Sequence, residues 1–141
     1  MSLPETLSDR SSYLLGRAAD AVKALGERDL EPLGITPREY TVLAVLAERS
    51  PLSQTRVAEI LGLDRTTILK LGASLEQLGL VVRERDPADH RAYAVALTPA
   101  GEQMRKQAFR LLLTCERRFL STLSPLERKQ LHDLLIRLLE T

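Results

Sequence analysis

Apolar and polar positions recur along this chain with two different periods, and the change between them falls inside residues 79–101. From Ser8 to Arg28 the apolar side chains Leu14, Ala18, Ala21, Val22 and Leu25 keep a helical spacing. Thr36-Pro37-Arg38-Glu39 has the composition of a capping box with proline at the first helical position, which predicts a helix to about Arg49. Ser50-Pro51 breaks it. Ser53 is placed to cap a short helix, Gln54–Leu61, closing at Gly62, and Asp64 to cap another that stops at Gly79. The period then drops to two. Val81–Arg85 and Ala92–Leu97 alternate as half-buried strands do, with Tyr93, Val95 and Leu97 on one face. Between them Asp86-Pro87-Ala88-Asp89 favours a bend, and this turn region is expected to hold Asp89 and Arg91. Thr98-Pro99 reads as the cap of a long helix over about Pro99–Leu123, and Ser124-Pro125-Leu126-Glu127 repeats the capping-box pattern.

Helix, helix and a two-stranded ribbon, in that order, define a winged helix-turn-helix. The expected fold is mainly α with a small β wing: one domain over 1–141, the winged motif over about 37–98, and helices over about 8–30 and 99–140 for dimerisation. The leucines of the terminal region, among them Leu111, Leu112, Leu113, Leu134, Leu135, Leu138 and Leu139, exceed what two lone helices can cover. Packing within one monomer is the simpler account. An intertwined helical homodimer is the expected one, because a small winged domain offers little surface to bury them.

The motif places specific side chains against DNA. At 100° per residue Ile68, Leu71, Leu75 and Leu78 cluster on a core-facing side of the helix after Asp64, leaving Thr66, Lys70, Ala73 and Gln77 opposite and Leu69 flanking. The first turns of that helix enter the major groove in this motif. There Lys70 is a candidate for phosphate or guanine, Thr66 for either, and Leu69 or Ala73 for a thymine methyl, with Arg65 a further candidate DNA contact. Ser53, Gln54 and Thr55 open a helix whose free amides favour phosphate, although capping explains Ser53 equally well. Arg83 and Arg85 share a strand face and are candidates for the phosphate backbone; shielding of an edge strand is the competing role for Arg85. Asp89 is read as an acceptor that directs Arg91.

Charge tempers this picture without removing it. The chain has 20 Lys+Arg against 19 Asp+Glu, a formal net charge of +1, whereas nucleic-acid binders are commonly strongly basic. Residues 1–49 hold 6 basic and 8 acidic side chains, 50–98 hold 6 and 6, and 99–141 hold 8 and 5. Binding must therefore depend on where the charges point. Asp64, for example, is assigned to a helix cap.

At this point the residues become recognisable. Leu33-Gly34-Ile35-Thr36-Pro37, Val57-Ala58-Glu59-Ile60-Leu61, Leu75-Glu76-Gln77-Leu78-Gly79-Leu80-Val81 and Asp86-Pro87-Ala88-Asp89-His90-Arg91, leading to Leu97-Thr98-Pro99-Ala100-Gly101, resemble the MarR family of bacterial transcriptional regulators. The wing pattern, Asp-x-Arg followed by Leu-Thr and Gly, is the most specific part. The resemblance implies triangular homodimers that bind an inverted-repeat operator in double-stranded DNA and often repress nearby genes until a small phenolic, drug-like or oxidising signal weakens binding. It implies that Arg91 enters or follows the minor groove, and it aligns Arg83 with a commonly basic position. His90 stands where the family often has a further arginine. The family's peroxide sensors carry a cysteine near the start of the first helix, which this chain lacks.

A small aromatic or drug-like effector would be expected between the first, second and long helices, with Tyr13, Arg17, Tyr40 and Met104 as candidates by position and type. Core packing competes for Tyr40 and a surface ion pair for Arg17. Cys115, the single cysteine, excludes an internal disulfide and fits a reducing compartment. His90 and His132 lack metal-ligand spacing, so neither metal nor cofactor is expected. No segment has the length and apolarity of a membrane span or the pattern of a signal peptide, and the expected location is the cytoplasm. Without a nucleophile elbow, a metal-binding His pair or a phosphate-cradling glycine loop, enzymatic activity is not expected. The alternative is a winged-helix module that binds protein without DNA or effector.

Overall fold

The computed structural model describes residues 2–86 and 89–140, with the side chains of 89–92 excepted. Its elements in chain order are α1 (Glu5–Ser8), α2 (Ser11–Leu30), a 3-10 turn (Glu31–Leu33), α3 (Pro37–Glu48), β1 (Leu52–Ser53), α4 (Gln54–Leu61), α5 (Arg65–Gln77), β2 (Val81–Asp86), β3 (Asp89–Leu97), α6 (Pro99–Phe119) and α7 (Pro125–Leu139). The chain divides into two compact units, Met1–Leu25 with Leu113–Thr141, and Gly26–Leu112.

Local chemistry starts the helices of the second unit. Thr36 Oγ1 accepts from the Glu39 amide while Glu39 Oε1 accepts from the Thr36 amide, a closed capping box at α3. Ser53 caps α4 through the Arg56 amide, and Asp64 caps α5 through the Thr67 amide. The Asp64 carboxyl lies below its ordinary range, first because the Thr67 amide donates to it. Thr98 Oγ1 accepts from the Gly101 amide at the start of α6 and donates to the Gly79 carbonyl. That threonine ties the end of the wing to the end of α5.

The core of this unit joins Leu30, Ile35, Val42, Leu43 and Leu46 to Val57, Ile68 and Leu75, and closes on the sheet through Leu80, Val81 and Val95. Burial of such side chains contributes about 1.5–3 kcal/mol each and is what holds α3, α4 and α5 against the wing. At the corner into α6 a side chain on Gly101 would overlap the Leu80 carbonyl oxygen and press on Leu97, so only glycine fits.

The sheet has three strands, ordered β1-β3-β2 and antiparallel throughout, where the sequence predicts two. Leu52 and Ser53 pair with Val95 and Ala94, a strand too short to carry a period. The ribbon is also longer than its apolar alternation. Pairing continues past Arg85↔Tyr93, with a shift of register, to Asp86↔Asp89. Asp89 and Arg91 therefore belong to β3 and not to the turn, because the backbone ladder continues into polar residues once a bulge absorbs the mismatch. The predicted turn residues Pro87 and Ala88 lie outside the described residues.

Two further boundaries differ. The helix expected over Ser8–Arg28 begins at Ser11 and runs to Leu30, and the separate α1 ends at Ser8, whose hydroxyl donates to the Glu5 carbonyl at 3.4 Å. The long helix stops at Phe119, after which amides at Ser121 and Leu123 close tighter turns onto Arg118 and Leu120.

In the first unit, α7 opens with a second closed capping box, Ser124 with Glu127. None of its residues is buried, and Leu126, Leu134, Ile136, Leu138 and Leu139 are well exposed. Cys115 is buried.

Candidate nucleic-acid interface

Helix α5 presents one face to the core and another to solvent, and the division follows the 100° rule. Ile68 and Leu75 are buried and Leu71 is half-buried, while Arg65, Thr66, Leu69, Lys70, Ala73 and Gln77 are exposed. Leu78 departs from expectation. It is 48% exposed because it caps the helix where the chain turns, and Leu80 takes the interior place instead. The proposed reading face is thus one contiguous stripe with an apolar member, Leu69.

Neighbouring elements brace the helix from behind. Gly72 lies against α4, so close to Gln54 that a Cβ there would come within 2.5 Å of the Gln54 amide nitrogen. The atom it meets is the far end of a flexible side chain, so the contact shows how Gln54 packs on α5 and does not by itself require glycine here. The contact also corrects the expectation for Gln54. Its side chain is only 5% exposed, and its amide nitrogen has no hydrogen-bond partner among the described residues. Packed against Gly72, that side chain is buried, where a phosphate contact calls for exposure. Ser53 Oγ is engaged as the α4 cap, and Thr55 is exposed beside it.

Arg83 is held just as firmly. Its guanidinium donates to Glu76 Oε1 from Nε at 3.3 Å and from Nη2 at 3.1 Å, and its backbone amide donates to Glu76 Oε2 at 3.1 Å. It also lies over the Tyr93 ring, 5.3 Å from the centroid. These hydrogen bonds hold the Glu76 carboxyl below its ordinary range. In sequence Arg83 is a candidate for phosphate, and nothing there marks Glu76 as its partner. The pair spans the last turn of α5 and the first residues of β2, a contact no helical or strand period reveals. Arg85 is exposed on β2. The side chains of Asp89 and Arg91 lie outside the described residues. Between α4, α5 and β3 a cleft of about 760 Å³ is lined by Thr55, Arg65, Leu69 and Tyr93 among others, so the reading face borders a concavity.

The four effector candidates fall in different units. Tyr13 is half-buried and Arg17 exposed in the first. In the second, Tyr40 and Met104 pack against the core. Burial raises the Tyr40 phenol, and the charge of Arg105 opposes that shift. Among the described residues no cluster of His, Cys, Asp or Glu is arranged to hold a metal, and no helix is long and apolar enough to cross a membrane.

Comparison with known proteins gives this geometry a family. Residues 33–92, which span α3 through the wing, match the sequence profile of the MarR family. The chain is 37% identical over 105 residues to a transcriptional regulatory protein assigned to the hcr operon of Thauera aromatica, covering 74% of this chain and 63% of that protein. A MarR-family transcriptional regulator of Rhodococcus sp. RHA1, solved by crystallography, superposes with a TM-score of 0.86 at 32% identity over 94% of each chain. CouR of Rhodococcus jostii RHA1, solved on a 23-mer DNA duplex, is 30% identical with a TM-score of 0.88, covering 98% of this chain and 99% of that one. The same protein has been solved bound to p-coumaroyl-CoA. A winged helix-turn-helix whose capped second helix bares a mixed polar and apolar stripe, matched over nearly its whole length by such relatives, belongs to the MarR family of transcriptional regulators.

Proposed function

We propose that this chain is a sequence-specific regulator of transcription that binds double-stranded DNA as a homodimer in the cytoplasm and represses until a small molecule releases it. The observation that carries the reading is α5: capped by Asp64, buried along Ile68 and Leu75, and exposed along Arg65, Thr66, Leu69, Lys70 and Ala73. Thr55, the free amides of α4, Arg85, Asp89 and Arg91 are assigned to the flanking backbone and wing contacts. Arg83 contributes by holding the wing. The exposed leucines of α7 support the dimer. Release by a ligand is supported by the pair of CouR structures, one on DNA and one with p-coumaroyl-CoA, an aromatic acyl thioester of coenzyme A. Tyr13, Arg17, Tyr40 and Met104 are the side chains to substitute first when mapping that response.

The test is selection of bound duplexes from random sequence with the full-length protein. The expected consensus is an inverted repeat with half-site centres roughly 10 base pairs apart, one helical turn. Affinity for it should fall steeply with salt as counterions are released. A protein that enriches no duplex at low salt, and captures none, is a protein-binding module and not a DNA reader.

A further inference from the structure

Glu39 does more than cap α3. Its Oε1 accepts from the Thr36 amide at 3.0 Å, which completes the capping box, while its other oxygen, Oε2, accepts from Ser74 Oγ at 2.8 Å. Ser74 is on α5, 35 residues away in sequence. Glu39 as a residue is only 6% exposed. A carboxylate in so buried a residue is costly unless its oxygens are satisfied, and here both are spent, one on each helix. The two oxygens make a rigid fork, because the capping bond fixes the orientation in which the second can accept.

The place of Ser74 gives the bond its consequence. It stands four residues after Lys70, one turn along the same flank, and next to Ala73. The bond therefore grips α5 at the border of its exposed stripe. Gly72 and Glu76 grip other flanks, against Gln54 of α4 and Arg83 of β2. Ile68 and Leu75 hold α5 from its buried side by non-directional apolar contact, whereas a hydrogen bond is directional. A hydrogen bond at the edge of the stripe resists the rotation. A turn of about 10° moves a side-chain tip lying about 6 Å from the axis by about 1 Å. That displacement is enough to spoil hydrogen bonds to a base edge, while long side chains still reach phosphates.

We propose that Glu39 is a positioning residue for base reading: through Ser74 it fixes the rotation of α5, so that the bridge governs sequence discrimination more than affinity for DNA as such. The inference rests on the DNA-reading function proposed above. A merely structural role for the pair predicts otherwise, namely loss of stability with equal weakening on every duplex.

The experiment uses the full-length protein, the duplex it enriches from random sequence, and a shuffled duplex of the same length and composition. Ser74→Ala removes the bridge and leaves the Thr36–Glu39 box intact. It should lower the ratio of selected to shuffled affinity by about tenfold, the scale of one spoiled base-edge contact, with shuffled affinity unchanged. Glu39→Gln should hold the ratio, because the amide oxygen still accepts from Thr36 and the NH₂ group can donate to Ser74 Oγ. Ser74→Thr, which keeps the hydroxyl, should also hold it. Should Ser74→Ala not fold, Ser74→Cys, close in size and a far weaker donor, carries the same expectation. Ser74→Ala with the parent's ratio, or with equal losses on both duplexes, overturns the inference and leaves the DNA-reading function standing. So does a Glu39→Gln protein as impaired as Ser74→Ala. A parent protein that enriches no duplex removes the DNA-reading function itself, and this inference with it.

Discussion

Arg83 shows how one side chain changes meaning between sequence and structure. In sequence it is a cation on a wing strand. In the structure its charge is shared with Glu76 and its flat face lies over Tyr93, so it acts as a strut from β2 to the end of α5. Removing Glu76 withdraws a negative charge from near the reading face and, on net charge alone, would tighten binding to DNA. The strut predicts the opposite sign. Glu76→Ala should weaken binding to the selected duplex, measured by fluorescence anisotropy at constant salt, because the wing loses its register against α5. Tighter binding would show that the carboxylate only repels phosphate. Acid should act in the same direction. The Glu76 carboxyl is held below its ordinary value of 4.5, chiefly by the Arg83 side chain. A folded-state value below the unfolded one means that the stabilisation is complete above the unfolded value and is lost as pH falls through the folded one. Thermal melts of the parent should thus lose more stability below about pH 4.5 than melts of Glu76→Gln.

At the scale of elements, what could be read from sequence was what local chemistry decides. The caps Thr36, Ser53, Asp64 and Ser124 all sit where the residue pattern puts them, because a cap is settled within four residues. The exposed stripe of α5 follows from helical geometry. Less was legible wherever the partner is distant. Strand β1 exists only because Val95 and Ala94 are there to pair with it. The burial of Gln54 depends on Gly72, eighteen positions later, and the exposure of Leu78 on Leu80 taking its place. The second bond of Glu39 leaves no trace in the capping-box pattern that announces the first. The corner at Thr98 and Gly101 combines both kinds of information. Its cap is local, while the reason for its glycine is the Leu80 carbonyl that a Cβ would overlap. Gly101→Ala should therefore destabilise the protein by about 1–3 kcal/mol, since overpacking against backbone outweighs the gain in helix propensity. Denaturant unfolding followed by circular dichroism measures it. An unchanged or raised midpoint would mean that the corner opens at little cost.

For the whole molecule, the question is what a nearly neutral chain must do to hold DNA firmly. With a net charge of +1 there is no bulk attraction to supply affinity. Each chain offers one short stripe on α5 and one wing. Joining two such lobes converts the second encounter into an intramolecular one, which can raise affinity by about 10²–10⁴ without any new contact. The proposed homodimer would supply the affinity that net charge does not. The surface available for it includes α7, where Leu134 is 54% exposed, Leu138 59% and Leu139 81%. These exposures also make the test clean. Charged substitutions at solvent-facing positions away from special features usually change stability by less than about 0.5 kcal/mol. If the chain acts alone, Leu134→Glu with Leu138→Glu should then be almost silent. If the α7 face is covered by a second copy, the same pair buries unpaired carboxylates and should dissociate the protein. The expected result is a parent dimer and a folded variant monomer by sedimentation at micromolar concentration, with operator affinity reduced by about a hundredfold or more. Salt dependence should become shallower as well, because one lobe neutralises half as many phosphates. A parent that sediments as a monomer, or a variant that remains dimeric and binds the operator as tightly as its parent, would remove α7 from the interface.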